Sequence, residues 1–273
     1  MWLPWQPALF LSVVVGVFGF AMRRATTPRL AFAQAFSQEL SLVLVLYSIW
    51  QFVATLGSVR EADGFANGRA VYDLERTLHI ANEASVVRWF LPHPLWVQFW
   101  NGYYAIAHAP ALIIFLVWLF VRHRDRYPRV RNTVALVTGI CLTLHFVPLA
   151  PPRLYPELGF VDTAKEYGQS VYGTIGHGLS DQMSAMPSMH VAWALIVGIG
   201  TITISTSRWR WLVLVHTALT VLAVTATANH WWLDGVAAAA ILAVVVAWQR
   251  LLATIGAMWR TRRATVLVPA AAD

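Results

Sequence analysis

A chain of 273 residues that is 58% hydrophobic and 12% charged carries about half the charge of an ordinary soluble domain, which excludes a soluble globule and points to a polytopic membrane protein. The net charge of +7 is almost all arginine, with Lys165 the only lysine. Because these arginines stand in short segments between apolar runs, they fit the basic bias of cytoplasmic loops and not a nucleic-acid surface, and the lone Cys141 excludes an internal disulfide.

A bilayer crossing needs roughly 17–25 apolar residues, and it must be helical, because an open sheet edge stays unsatisfied in lipid. Seven stretches qualify, near 5–22, 39–57, 97–121, 132–148, 188–206, 210–227 and 231–253. The first has no basic residue ahead of it and Arg23 and Arg24 behind it, so it reads as a retained helix with its N-terminus outside, not a signal peptide. Between the second and third spans, Ala70 to Trp89 sets Val71, Leu74, Leu78, Val86 and Val87 among charged neighbours. That pattern suits an amphipathic helix on the outer surface, with a solvated connector as the alternative. Pro92 and Pro94 end it.

Alternate loops differ in charge. One side carries Arg23, Arg24, Arg29, the run from Arg122 to Arg131, Arg208, Arg210, Arg250, Arg260, Arg262 and Arg263, with little but Asp125 against them. On the other side Arg60, Arg69, Arg76, Arg88, Arg153 and Lys165 are outnumbered by acids that include Glu61, Asp73, Glu75, Glu83, Asp162 and Asp181. The asymmetry puts the C-terminus in the cytoplasm and segments 58–93 and 149–187 outside. The expected organisation is an N-terminal transmembrane helix and cytoplasmic linker (1–38), a six-helix membrane domain (39–257) and a basic cytoplasmic tail (258–273) whose end, Val266 to Asp273, is disordered. The cell membrane is the expected location.

Three polar clusters stand at span ends on the outer side, where ionisable residues are costly to place and functional by default. After the fourth span, Pro148-Leu-Ala-Pro-Pro-Arg153-Leu154 holds a stiff extended backbone that presents Arg153 at a fixed place. A guanidinium suits phosphate, although Arg153 could instead anchor a helix end among head groups. At the start of the fifth span, Ser184-Ala-Met-Pro187-Ser188-Met-His190 joins a helix N-terminus, which attracts anions, to the hydroxyl of Ser188 and to His190, a proton carrier near neutral pH. The competing view makes Ser188 an ordinary cap and His190 a packing residue. At the seventh span, Asn229-His230-Trp-Trp-Leu-Asp234-Gly235 spaces His230 and Asp234 four apart, on one helix face. Asp234 can then orient one ring nitrogen and leave the other as base or nucleophile, unless the pair only locks two helices together. Combined, these are parts for phosphoryl transfer with no obligatory metal: Arg153 and the N–H groups stabilise phosphate charge, one histidine attacks, and the other protonates the leaving oxygen.

In order and placement the clusters resemble the motifs of the type 2 phosphatidic acid phosphatase superfamily. The resemblance covers about residues 39 to 253 and implies an all-α polytopic bundle with a six-helix core plus one N-terminal helix. It assigns His230 as the nucleophile, Asp234 as its orienting group, His190 as general acid, and Arg153 and Ser188 as phosphate ligands, with no cofactor and no metal. The phosphatase pattern has cations where this chain has Phe146 and Val224. The branch lacking them, inositol phosphorylceramide synthases and related bacterial proteins, with sphingomyelin synthases more distant, is more similar. Tyr103-Tyr104-Ala-Ile-Ala-His108 also has a counterpart there, which makes Tyr104 and His108 candidate lining of a substrate cavity. The expected activity cleaves a lipid phosphate ester or diester, on a phospholipid or polyprenyl-phosphate type of substrate, and passes the phosphoryl or head group to an alcohol or sugar acceptor. Two rivals remain: a phosphatase using water, and a non-catalytic lipid transporter or scaffold. Of the other histidines, His79, His93 and His177 are expected in solvent, His123 in the basic inner loop, and His145 and His216 in interhelical hydrogen bonds.

The charge asymmetry predicts sidedness. A cysteine placed beside Lys165 reacts with an impermeant thiol reagent on intact cells; labelling only after lysis contradicts the topology.

Overall fold

The computed structural model describes residues 3–24, 27–55, 61–170 and 182–266. Arg60, His177, Asp181 and the tail beyond Val266 lie outside them. The described chain is an all-α membrane helix bundle. Four helices are long and apolar enough to cross a membrane, or five when one bent pair counts as a single span.

Helix α1 (Trp5–Ala21) packs along α2 (Pro28–Ala54). Pro28 opens α2 behind Thr27, whose side chain accepts from Leu30 N–H at 3.4 Å, the preferred order of cap and proline. Small residues let the two backbones approach: a Cβ on Gly16 would lie 2.9 Å from Ser41 Oγ, and Ser41 donates to the Ser12 carbonyl at 2.8 Å. Phe10, Val17 and Phe20 are exposed on the opposite face, as befits a surface that meets lipid. α2 starts at Pro28, well before the predicted 39.

The predicted span 97–121 is two helices, α5 (Pro94–Ile106) and α6 (His108–Arg122), bent by 45°. Pro110 accounts for the break: it has no N–H to give, and its ring opposes the carbonyl of Ile106 four residues earlier. The bend matters because Tyr104 and His108 flank it. α7 (Tyr127–Leu144) carries Arg129 and Arg131 in its first turns, and α9 (Met189–Ile204) has 16 residues, so both fall short of a full apolar span. A 3-10 turn, Arg208–Leu212, leads into α10 (Val213–Ala226). α11 (Trp232–Val266) runs on through much of the segment expected as a tail. The core between these helices holds Leu112, Phe115 and Leu119 of α6, Cys141 of α7, Ile196 and Val197 of α9, Val224 of α10 and Leu242 and Val245 of α11.

A second core caps one end of the bundle. It centres on Trp231, whose ring meets Tyr72, Tyr155 and Phe160 at 6.0, 5.8 and 5.7 Å and whose indole N–H donates to the Ala150 carbonyl at 3.0 Å. Over it lie α3 (Glu61–Thr77) and α4 (Glu83–Phe90), while the short α8 (Thr163–Glu166) packs against α5. The amphipathic segment 70–89 is therefore two helices, not one. His79, in the left-handed region at φ 57, turns the chain between them, and Asn82 caps α4 by accepting from Ala84 N–H at 2.9 Å. The buried face of α3 is Gly64, Gly68 and Glu75, while Leu74 and Leu78 remain exposed. Small size, not apolarity, selects that face.

Gly68 shows why. A methyl group there would overlap the Tyr155 hydroxyl and lie 2.7 Å from the Ala150 carbonyl, while that hydroxyl already donates to the Phe65 carbonyl at 2.6 Å. Gly68→Ala is expected to lose about 1–3 kcal/mol by overpacking. Gly102→Ala in α5 has open space around it and is expected to gain up to about 1 kcal/mol from helix propensity. Thermal unfolding of the two variants in one detergent checks the contrast.

Candidate active site

The proline-rich stretch after α7 is pinned by backbone hydrogen bonds to three parts of the chain. Leu149 N–H donates to the Met183 carbonyl at 2.6 Å and Ala185 N–H returns to the Leu149 carbonyl at 3.1 Å; Ala150 N–H reaches the Gly64 carbonyl at 2.9 Å. Arg153 N–H donates to the Ala228 carbonyl at 2.9 Å. A 3-10 turn, Pro152–Leu154, thus fixes the Cα of Arg153 against the segment that carries His230. The Arg153 side chain is buried, and its Nε lies 3.5 Å from Asp162 Oδ2. Asp162 in turn caps α8 by accepting from Lys165 N–H at 3.0 Å. An Arg held at one edge by a carboxylate keeps its plane fixed.

Ser188 is the N-cap of α9. Its hydroxyl accepts from Val191 N–H at 3.4 Å, and its own N–H donates to the Asp234 carbonyl at 3.2 Å. The two helices carrying the second and third motifs are joined at that point. Pro187 lies just outside α9. His190 is the second residue of the helix. Its ring is stacked on Tyr104 at 4.4 Å and meets His108 edge-on at 4.1 Å. The bend at Pro110 delivers both neighbours.

His230 departs from the sequence expectation in one respect: it is not on a helix. α10 ends at Ala226, and α11 begins only at Trp232. Between them Ala228, fully buried, takes the left-handed φ of 52, a conformation that costs a non-glycine residue free energy and tends to mark functional sites. Asn229 and His230 N–H groups both reach the Val224 carbonyl, at 3.0 and 3.3 Å. Asp234 Oδ2 accepts from Trp231 N–H at 2.8 Å while Asp234 N–H donates to the Trp231 carbonyl at 3.1 Å. That is one half of a capping box, the aspartate in the third helical position reaching back to the N–H of the residue before the helix. Asp234 is thereby locked, and His230 meets it through a turn rather than along a helix face.

The ring of His230 is held by the nitrogen nearer the backbone. Nδ1 lies 2.7 Å from the Ala185 carbonyl and 3.3 Å from Asp234 Oδ2. A carbonyl oxygen can only accept, so Nδ1 carries the hydrogen and Nε2 keeps its lone pair. Nε2 faces His190 Nδ1 at 3.4 Å. Ala185, not Asp234, is thus the closer orienting partner. The His230 pKa is pushed down to about 4, chiefly by burial; the hydrogen bond to the Ala185 carbonyl works in the opposite direction, and the positive charge of Arg153 adds a smaller lowering.

Every residue singled out in the sequence reaches this end of the bundle. His190, His230, Asp234, Ser188, Tyr104 and His108 form one contact network, and Arg153 joins it through Ala228. His216 lies elsewhere, with its Nδ1 2.7 Å from the Tyr103 hydroxyl in a contact between α5 and α10. Sequence reasoning missed the Ala185 carbonyl, the Asp162 contact and two buried acids, Glu75 and Glu83. A backbone carbonyl leaves no trace in residue identity, and acids on a surface segment look like solvated ones.

The PAP2 superfamily model matches residues 69–248, a stretch that takes in all three clusters. No curated protein and no solved structure matches the chain.

Ring nitrogen shifts of labelled histidine, followed by NMR against pH, test the electrostatics. His230 is expected to stay neutral down to about pH 4, and Arg153→Gln to raise that value by removing a nearby cation. Titration of wild-type His230 near its ordinary value of 6.5 would contradict the burial argument.

Proposed function

The chain belongs to the PAP2 superfamily, and on that premise we propose that it is a membrane-embedded lipid phosphotransferase working through a covalent phospho-histidine. One observation carries this reading: the hydrogen on Nδ1 of His230 is committed to the Ala185 carbonyl at 2.7 Å, so Nε2 is the nucleophilic atom and points at His190. Superfamily membership supports a lipid phosphate activity in general; the roles below are those the resemblance implies, and the contacts of His230 support them.

In the first half-reaction Nε2 of His230 attacks phosphorus and a P–N bond forms. The P–O bond to the lipid alcohol breaks, and His190 gives the leaving oxygen its proton. Asp234 and the Ala185 carbonyl steady the imidazole as it gains positive charge, while Arg153 and the Ser188 hydroxyl balance charge on the phosphate oxygens. His190, now neutral, takes the proton of the acceptor hydroxyl in the second half-reaction. The acceptor oxygen bonds to phosphorus, and the P–N bond breaks. The resting separation of 3.4 Å between the two rings leaves no room for a phosphoryl group. The His190 ring must swing away as substrate enters, and Tyr104 and His108 are the surfaces it slides on.

An alcohol is favoured as acceptor over water. Phe146 and buried Val224 stand where the phosphatase pattern has cations, so the site offers less positive charge than a phosphate monoester calls for. A phosphodiester carries one charge fewer. The donor is a phospholipid or polyprenyl-phosphate type of lipid. In the topology that the charge asymmetry supports, the site opens on the extracytoplasmic face, with the C-terminus in the cytoplasm.

Purified protein in vesicles, given labelled phospholipids and polyprenyl phosphates with and without alcohols and sugars, tests the reading. Label is expected on the acceptor alcohol, and His230→Ala is expected to turn over nothing. His190→Ala should slow both half-reactions by about 10²–10⁴-fold, with a good leaving group restoring only the first. Release of label to water whatever the acceptor would make the protein a phosphatase. A His230→Ala variant with full activity would end the mechanism.

A further inference from the structure

Two carboxylates outside the proposed catalytic groups have no exposed surface at all: Glu75 near the end of α3 and Glu83 at the start of α4. Both turn onto the start of α11. Glu75 Oε1 accepts from Leu233 N–H at 2.8 Å, and Glu83 Oε1 accepts from Trp232 N–H at 3.1 Å. Asp234 Oδ2 accepts from Trp231 N–H at 2.8 Å. Three successive amides, starting beside His230, therefore end on three acidic side chains from three helices.

The groups facing this pair can be named from each side. On α3, Arg76 NH2 lies 3.6 Å from Glu75 and 3.4 Å from Glu83, and it also donates to the Ala81 carbonyl at 3.2 Å. The Tyr72 ring sits 5.2 Å beneath that guanidinium. On α11 the nearest charge is Asp234, and on the preceding turn stands His230, neutral near pH 7. Among the described residues one cation, Arg76, is thus paired with two buried carboxyl groups, and a third, Asp234, stands close by. Unpaired buried charge is costly, whereas one proton held between Glu75 and Glu83 removes a charge and supplies a donor to the pair. The Glu75 carboxyl is accordingly pushed up to about 9, first by burial, then by the Glu83 carboxyl that shares Arg76 with it, with the charge of Asp234 adding to it.

We propose that Glu75 and Glu83 share one proton and form a positioning pair, which fastens the first residues of α11 so that Asp234 and His230 hold their geometry for phosphoryl transfer. The kinetic part of this inference rests on the phosphotransfer reading. While the proton is present, the pair accepts from Trp232 and Leu233 with one negative charge, matched by Arg76. Once it is lost, two carboxylates stand against each other and against Asp234. The start of α11 is then driven away from the two surface helices, and Asp234 and His230 go with it. Neither acid touches substrate.

The sign of the pH effect follows. Glu75 rises from 4.5 in the open chain to about 9 in the fold, so the stability it contributes is full below 4.5 and is lost as pH climbs through 9. Glu75→Gln keeps an acceptor for Leu233 N–H and cannot ionise. In full-length protein the wild-type unfolding midpoint is expected to fall between neutral pH and about pH 9, and that of Glu75→Gln to fall less. Wild-type kcat is expected to drop over the same range, while Glu75→Gln turns over at neutral pH with its alkaline limb displaced upward by about one pH unit or more. Glu75→Ala, which gives Leu233 N–H no partner, is expected to lower kcat at every pH.

Equal pH dependence of unfolding in wild type and Glu75→Gln would overturn the shared proton. A difference in unfolding with an unmoved kinetic limb would reduce the pair to a structural one and overturn the positioning role. Wild type that turns over no lipid phosphate, yet shows the unfolding difference, would sink the phosphotransfer reading and uphold the shared proton. If Glu75→Gln fails to fold, Glu83→Gln puts the same questions from the other side of the pair.

Discussion

The hydrogen bond between His230 Nδ1 and the Ala185 carbonyl, at 2.7 Å, is the constraint on which the site depends. It decides which nitrogen holds the hydrogen and therefore which atom can attack. A side-chain partner could rotate or titrate; a backbone carbonyl in a pinned segment can do neither. The carbonyl is pinned because Ala185 N–H is itself tied to Leu149, and Leu149 N–H to Met183. The proline-rich stretch after α7 thus has a second task besides presenting Arg153. It fixes the backbone that fixes the proposed nucleophile.

The rest of the fold can be understood as support for that contact. The turn from Ala226 to Trp232 must bring His230 beneath Ala185, and it does so with Ala228 in a left-handed conformation whose carbonyl holds Arg153 N–H. The bond from Trp231 N–H to the Asp234 side chain sets where α11 begins. The Ser188 N–H bond to the Asp234 carbonyl ties that start to α9. Above them the aromatic cluster around Trp231 shields these hydrogen bonds from water, which strengthens them. The bend at Pro110 is the membrane bundle's contribution, since it turns Tyr104 and His108 against His190.

Much of this was legible in the sequence. Long apolar runs and scarce charge give a helical membrane bundle, and polar clusters at span ends give the site, because lipid leaves few other places for Arg153, His190, His230 and Asp234. What escaped has physical reasons. The i to i+4 spacing of His230 and Asp234 suggested a helix face, but the same spacing also fits a histidine in the turn before a helix capped by aspartate. The stretch 97–121 is apolar on average despite Gln98, Asn101 and His108, so mean hydropathy gave no hint of a break that a single proline imposes. The segment 70–89 resembled an amphipathic surface helix because Leu74 and Leu78 follow the helical period. The structure buries Gly68 and Glu75 instead, since close approach to Tyr155 and to the amides of α11 outweighs apolar matching there.

The central claim is that one nitrogen of one histidine accepts the phosphoryl group. The most direct measurement is to quench turnover at alkaline pH, digest the protein, locate the phosphorylated peptide by mass spectrometry and distinguish the ring nitrogens by NMR. The account predicts a phosphoryl or phosphodiester group on Nε2 of His230, stable in base and lost in acid. Modification on Nδ1 of His230 or on His190, or turnover with no modified histidine at all, would contradict it.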